Sequence, residues 1–355
     1  MFKLQKTILL YTAVITIAAV CQGRPIIVDH NSASAFFSIP RAAIEQAKAT
    51  LHIAYGHTSH GSQLITGMDG LVGFMNGKGY PTNLYAWAYG GSPSALDIHD
   101  YAMGGDCGYY PDWVNNTLSY LGTPNPSTGR GTTHPQTNVI IWSWCGQISS
   151  KYANGTLNSE YLTPMSQLEV NYPGIVFVYM TGHLDHWADA DNKAANQMVR
   201  NYCRNNNKVL YDFADIESWN PDGTYFQYAN DDCSYYASAS SGTLLGNWAT
   251  EWQGSHTVNV DWYDCSPAHT QALNGNRKAY AAWWLWARLA GWEGVIDANC
   301  PNLDNYSTVN FDDYAILAGN WKVSGVNIPG DIDKSGKVDA NDLKIISDYW
   351  LQECY

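Results

Sequence analysis

The feature that most limits how this chain can fold is a series of short apolar runs, each ending in small or polar residues and separated by helical patterns. Leu51 to Tyr55, Asn138 to Trp144, Ile175 to Met180 and Val209 to Phe213 are such runs, and Asn83 to Tyr89, ending in Gly90-Gly91-Ser92, is a further strand candidate. Unbroken apolar runs of this length suit strands buried on both faces. Between them, apolar spacing predicts helices over 38–49, 64–75, 161–171, 192–205 and 279–289. The alternation predicts an α/β fold, a parallel sheet covered on both faces. Ligands of such sheets bind outside the carboxyl ends of the strands. Residues 218–260 are polar, rich in Gly and aromatics and weakly periodic, and read as a long irregular lobe over that edge.

The turns after the strands therefore carry the chemistry. Leu51 to Leu64 reads as strand, tight turn and helix, with Ser59 at the turn. There the free N–H groups and the positive end of the helix dipole favour developing negative charge, as a nucleophile requires. A helix N-cap uses the same residue types, so both readings stand. The other turns hold Gly90-Gly91, Cys145-Gly146-Gln147 and His183-Leu184-Asp185-His186, and Asp264 to His269 precedes the last helix of the main domain.

At 355 residues the chain has room for one α/β domain and a small appendage. A net charge of −13 without a Lys/Arg cluster argues against a nucleic-acid or anionic-membrane partner. The 15 Trp and 25 Tyr serve a packed core and also exposed platforms for stacking on sugar rings. Residues 1–23 read as a signal peptide: Lys3 and Lys6, an apolar core from Ile8 to Val20, then small or polar residues. That core is too short to span a membrane, and no other stretch qualifies, so the expectation is a secreted or surface-associated protein. Disulfides are the default for an exported chain. Cys300 and Cys354 bracket the C-terminal module, Cys233 and Cys265 flank the segment before the last helix, and the odd count beyond the leader leaves at least one thiol free.

An early serine, then a glycine turn, then a histidine before the final helix is the order of SGNH (GDSL-like) hydrolases. The chain resembles that superfamily over most of residues 50–292. It is similar in particular to a divergent branch whose first motif reads Gly-His-x-Ser-x-Gly, here Gly56-His57-Thr58-Ser59-His60-Gly61. The phrase from Tyr211 to Gly223 looks like that branch too. The resemblance implies a flavodoxin-like three-layer sandwich and a serine esterase. Ser59 would be the nucleophile, its own N–H and that of Gly91 (or Gly90) the oxyanion donors, and His269 the general base. Two positions depart from the family pattern. Cys145 stands where an Asn donor is usual, with Gln147 as its substitute, and Ser266 replaces the acid three residues before His269, leaving Asp264 to orient the imidazole.

Other chemistries fit the same turns. His57-Thr-Ser-His60 and His183-Leu-Asp-His186 are both His-x-x-His, and with Asp185 they suit Zn²⁺ or another transition metal. The same side chains, with Gln147, suit hydrogen bonds to sugar hydroxyls. A lyase using His or Tyr to abstract a proton α to a uronate carboxylate would not need Ser59.

Asp331 to Asp342 matches the EF-hand loop. Asp331, Asp333, Ser335, Asp339 and Asp342 offer side-chain oxygens, Lys337 its carbonyl, and Gly336 the turn, a donor set for Ca²⁺. The pattern recurs in worn form 29 residues upstream at Asn302, Asp304, Tyr306, Thr308, Asn310 and Asp313, and each loop precedes an apolar helix ending in Trp. This duplicated unit resembles a type I dockerin over about residues 299–353, which implies a cohesin-type scaffold or cell-surface partner. The expected organisation is signal peptide 1–23, hydrolase-like domain 24–298 and dockerin 299–355. The expected function is a polysaccharide esterase; the alternatives are a polysaccharide-active glycosidase, lyase or metal-dependent hydrolase, or a non-catalytic carbohydrate-binding or adhesion protein on a decayed hydrolase fold.

Overall fold

In the computed structural model the described residues are 25–91, 94–240, 242–294, 301, 303, 309–325 and 328–351. The expected leader, Cys300, Cys354 and the first-loop positions Asn302, Asp304, Tyr306 and Thr308 lie outside them.

Seven strands build one sheet: β1 (Ile26–Val28), β2 (His52–Gly56), β3 (Trp87–Ala88), β4 (Leu96–Met103), β5 (Val139–Trp142), β6 (Val176–Met180) and β7 (Val209–Tyr211). Their order is β1-β7-β6-β5-β2-β4-β3, and every pair is parallel. With the flanking helices this is an α/β sandwich. The unbroken apolar strands β5, β6 and β7 lie inside the sheet, where both faces are covered.

The helices of this part are α1 (His30–Ser34), α2 (Arg41–Thr50), α3 (Ser62–Gly77), α4 (Asp112–Leu121), α5 (Ile148–Ala153), α6 (Thr163–Asn171), α7 (Asp189–Asn205), α8 (Phe213–Glu217), α9 (Trp248–Ser255) and α10 (Ala272–Leu289). From β2 the chain steps through α3 to β4 on one side. It then returns through α4 to β5 on the other side and continues to β6 and β7. Crossovers of one hand taken in opposite directions place their helices on opposite faces. Accordingly α10 packs against α1, α2 and α3, while α5 packs against α7. The order reverses beside β2, so the carboxyl ends of β2 and β5 border a crevice. Among the described residues no helix is long and apolar enough to cross a membrane.

Three local expectations change. The strand expected over Asn83 to Tyr89 shrinks to the two-residue edge strand β3, and the long strand is β4, Leu-Asp-Ile-His-Asp-Tyr-Ala-Met. Its polar residues hid it, because a strand near the sheet edge alternates instead of reading as an apolar run. Helix α10 starts seven residues earlier than expected, and it buries every residue but Arg288. The irregular lobe holds an antiparallel hairpin, β8 (Ser234–Tyr236) with β9 (Leu244–Asn247), and α9, whose Trp248 and Ala249 form a small apolar cluster with Leu184 and Leu273.

Toward the C-terminus, α11 (Phe311–Gly319) and α12 (Ala340–Asp348) pack together. They share a separate cluster of Val309, Leu317, Val338 and Ile346.

Candidate active site

Ser59 lies in the turn between β2 and α3, half-buried. Gly61 is required there by close approach, since a Cβ would run into His57, Ser143 and the Tyr55 hydroxyl, which donates to the Gly61 carbonyl at 2.9 Å. From the far end of the chain, the turn before α10 brings in His269, whose Nε2 is 3.0 Å from the Ser59 Oγ. His269 is exposed and left-handed (φ 63°). That conformation costs a branched backbone energy and persists only where the surroundings fix it. One such constraint is Gln63, whose amide donates to the neighbouring Ala268 carbonyl at 2.6 Å.

The turn after β5 places Cys145 beside the pair. Its Sγ is 3.6 Å from Ser59 Oγ and 3.1 Å from His60 Nδ1. On its other side His60 Nε2 meets Asp231 Oδ2 at 2.9 Å. Burial works against a charged His60, but the bonds to Asp231 and Cys145 outweigh it and raise its pKa to about 9. The bond to His60 lowers the Cys145 thiol to about 7. The His60 ring is stacked between His183 at 3.8 Å and His269 at 4.4 Å. His183 is buried and donates from Nδ1 to the Leu184 carbonyl at 2.6 Å. Its Nε2 therefore carries a lone pair, and that atom is buried without a partner. Burial, reinforced by the nearby His60 charge, lowers the His183 pKa.

A fully buried ion pair underlies both walls. Lys278 of α10 meets Glu217 of α8 at 2.6 Å, and Lys278 also donates to the Gln63 side-chain oxygen Oε1. Glu217 in turn accepts the Leu184 N–H at 2.8 Å. One network thus ties the His269 turn, through Gln63, to the His183 turn, through Leu184.

The other expected site residues are placed as follows. Asp264 is exposed and, among the described residues, makes no hydrogen bond to His269, because the Cys-Ser-Pro turn does not bring it round. Gly91 is at the wrong end of the sheet. Ala88 pairs with Asp97, which pairs with His52 at the amino end of β2, whereas Ser59 follows the carboxyl end. The Gly91 N–H is moreover bonded to Ala88. At the carboxyl end of the sheet Met103 of β4 pairs with Gly56, and Gly104, Gly105 and Asp106 follow it, Asp106 accepting from Thr58 Oγ1 at 2.8 Å. The alternation of Leu96 to Met103 was the signal that would have found them. Gln147 accepts the Cys145 N–H at 3.2 Å and bonds Asp106, so it is committed to the turn. His57 has both ring nitrogens engaged, with Asp100 at 2.6 Å and the Thr58 carbonyl at 2.8 Å. Asp185 caps a short turn through the Trp187 and Ala188 N–H groups, and His186 stacks on Tyr236. Asp231 had no sequence signal beyond an acidic pair in an irregular lobe.

The four-imidazole metal set is therefore not assembled. His60, His183 and Asp231 do bring ligand atoms within 4.8 Å of one another. Their geometry nevertheless fits a transition metal poorly. The two ring planes are 7° apart, so their in-plane lone pairs run side by side, whereas Zn–N bonds of about 2.0–2.1 Å require them to converge. The five described cysteines, Cys107, Cys145, Cys203, Cys233 and Cys265, are free thiols. Cys233 and Cys265 thus form no disulfide with each other. Cys107, Cys203 and Cys233 are buried and behave as small hydrophobes.

In the C-terminal loop, Asp331, Asp333 and Asp342 converge within 4.8 Å. Gly336 takes the left-handed turn (φ 86°) and donates to Asp331 at 2.9 Å. Asp342 accepts from Ile332 N at 2.7 Å and Asp339 N at 2.8 Å; Asp313 accepts in the same way from Leu303 N at 2.6 Å and Asn310 N at 2.9 Å. The two halves are thus built on one plan.

Comparison of the chain with protein-family models, curated proteins and solved structures gives no match.

Proposed function

We propose that this chain is a secreted serine esterase of the SGNH type, removing acyl groups from a polysaccharide. The reading is carried by the 3.0 Å contact between Ser59 Oγ and His269 Nε2, made across 210 residues of sequence. Ser59 attacks the acyl carbonyl, and His269 takes its proton and returns it to the leaving alcohol. With no carboxylate bonded to His269 among the described residues, the pair works as a dyad. The Ser59 N–H and that of Gly105, in the place expected of Gly91, are the proposed oxyanion donors. With the edge strands β1 and β3 left aside, β2, β4, β5, β6 and β7 numbered in turn have the 2-1-3-4-5 order of flavodoxin-like sheets, which supports the fold expected of the superfamily. Exposed Tyr101 and Tyr109 on one side and Trp187 on the other suit stacking on sugar rings.

The proposed boundaries remain a leader over 1–23, a catalytic domain over 24–298 and a dockerin-like unit over 299–355, which would attach the enzyme to a cohesin-type scaffold or cell-surface protein. The all-oxygen set of the second loop suits Ca²⁺, held by Asp331, Asp333, Ser335, Asp339, Asp342 and the Lys337 carbonyl. The test is a product-resolved screen on acylated polysaccharides together with fluorophosphonate labelling. Labelling should fall on Ser59, and Ser59→Ala should lose roughly 10³-fold or more in ester turnover. A wild-type protein that turns over esters while Ser59 stays unlabelled would sink the serine reading.

A further inference from the structure

The crevice holds more machinery than one serine needs. Cys145 Sγ, His60 and Asp231 form a complete chain of thiol, imidazole and carboxylate, at 3.1 and 2.9 Å. The carboxylate is itself fixed, since Asp231 Oδ1 accepts from Asn230 Nδ2 at 2.6 Å and from its neighbour Asp232 N at 2.9 Å. The imidazole cannot swing away, because it is buried and clamped between the His183 and His269 rings. The unpartnered, buried Nε2 of His183 adds an acceptor beside it that no internal contact uses.

We propose that Cys145 is a second covalent nucleophile of this crevice, with His60 as its base and Asp231 as the group that orients His60. This rests on the proposed function for the substrate class, an acyl ester, but not on Ser59 as its nucleophile. A separation of 3.6 Å between the two nucleophilic atoms leaves room for one carbonyl carbon at attack distance, about 3–3.5 Å, from each. The Cys145 thiolate bonds to that carbon as the ester C–O bond breaks, and the proton on His60 passes to the departing alkoxide. Water then attacks the thioester and gives a proton to His60. The C–S bond breaks, freeing the carboxylic acid and restoring the thiolate–imidazolium pair. The environment supports this assignment. The bond to His60 first, then those to Thr58 and Ser59, outweigh burial and hold its thiol near 7, while Gln147 of its own turn accepts the Cys145 N–H. Burial instead pushes Cys233 and Cys265 up to about 12.

Acid-quenched reactions of Ser59→Ala with 4-nitrophenyl acetate, read by peptide mass spectrometry, test the proposal. Acetyl should appear on Cys145, be removed by neutral hydroxylamine, and be absent from Ser59→Ala/His60→Asn. Iodoacetamide should alkylate Cys145 with a pH midpoint near 7, moving toward the ordinary thiol value of about 8.5 when His60 becomes Asn. Near-UV circular dichroism of each variant checks folding. In Cys145→Ala, fluorophosphonate labelling reports on Ser59 alone. Labelled Ser59 beside a never-acylated, slowly alkylated Cys145 overturns the thiol proposal. Acylated Cys145 beside an unlabelled Ser59 supports it and overturns the serine reading instead.

Discussion

Lys278 shows what a single residue contributes here. Its ammonium is fully buried against Glu217, lies 3.7 Å over the Phe213 ring, and joins the two turns that carry His269 and His183. Removing one member of such a pair leaves the other charge buried and unpaired, at a cost of about 3–5 kcal/mol. Lys278→Met should therefore lower the free energy of unfolding by that amount, and Lys278→Met/Glu217→Gln should recover most of it. A double variant whose loss equals the sum of the losses of Lys278→Met and Glu217→Gln, measured by urea unfolding, would mean that the pair is uncoupled. The lysine was not visible as special in the sequence. It sits in Asn-Arg-Lys-Ala, and only the burial of α10 on all sides gives it its partner.

Between elements, the contact that sets the site is α3 against α10. Ser59 lies just before α3 and His269 just before α10, so the approach of the two helices fixes the distance between the proposed nucleophile and base. Gly67 allows that approach, since a Cβ there would meet the Gly275 carbonyl. Gly67→Val should cost about 1–3 kcal/mol by overpacking and lower kcat more than it raises KM. A variant with unchanged kcat would show that the helix spacing does not control the pair. The strand–turn–helix at Ser59 was legible because an apolar run, a Gly and a renewed periodicity lie within fourteen residues. The glycine turn after β4 was not, because β4 carries Asp97, His99 and Asp100, and the double glycine at 90–91, at the other end of the sheet, was the more conspicuous.

At the scale of the molecule, the described residues hold separate apolar clusters, one around the sheet and one shared by α11 and α12. The proposed calcium would act on the smaller one, where Asp342 is buried and bonded to the loop backbone. Calorimetric titration of the full chain should show a calcium site that Asp331→Ala abolishes, with ester turnover unchanged. Lost turnover in that variant would mean that the two parts are coupled.

Periodicity alone determined that strands and helices alternate, and hence that the sheet is parallel, because burial on both faces imposes continuous apolar runs. Residue spacing alone also exposed the duplicated loop, since side-chain oxygens at alternate positions and a following apolar helix recur 29 residues apart. Tertiary structure decided which side chains meet. The pairing of His60 with Asp231 and of Ser59 with His269 spans 171 and 210 residues, and only the crossing of α3 over α10 and the folding of the irregular lobe bring them within hydrogen-bond reach.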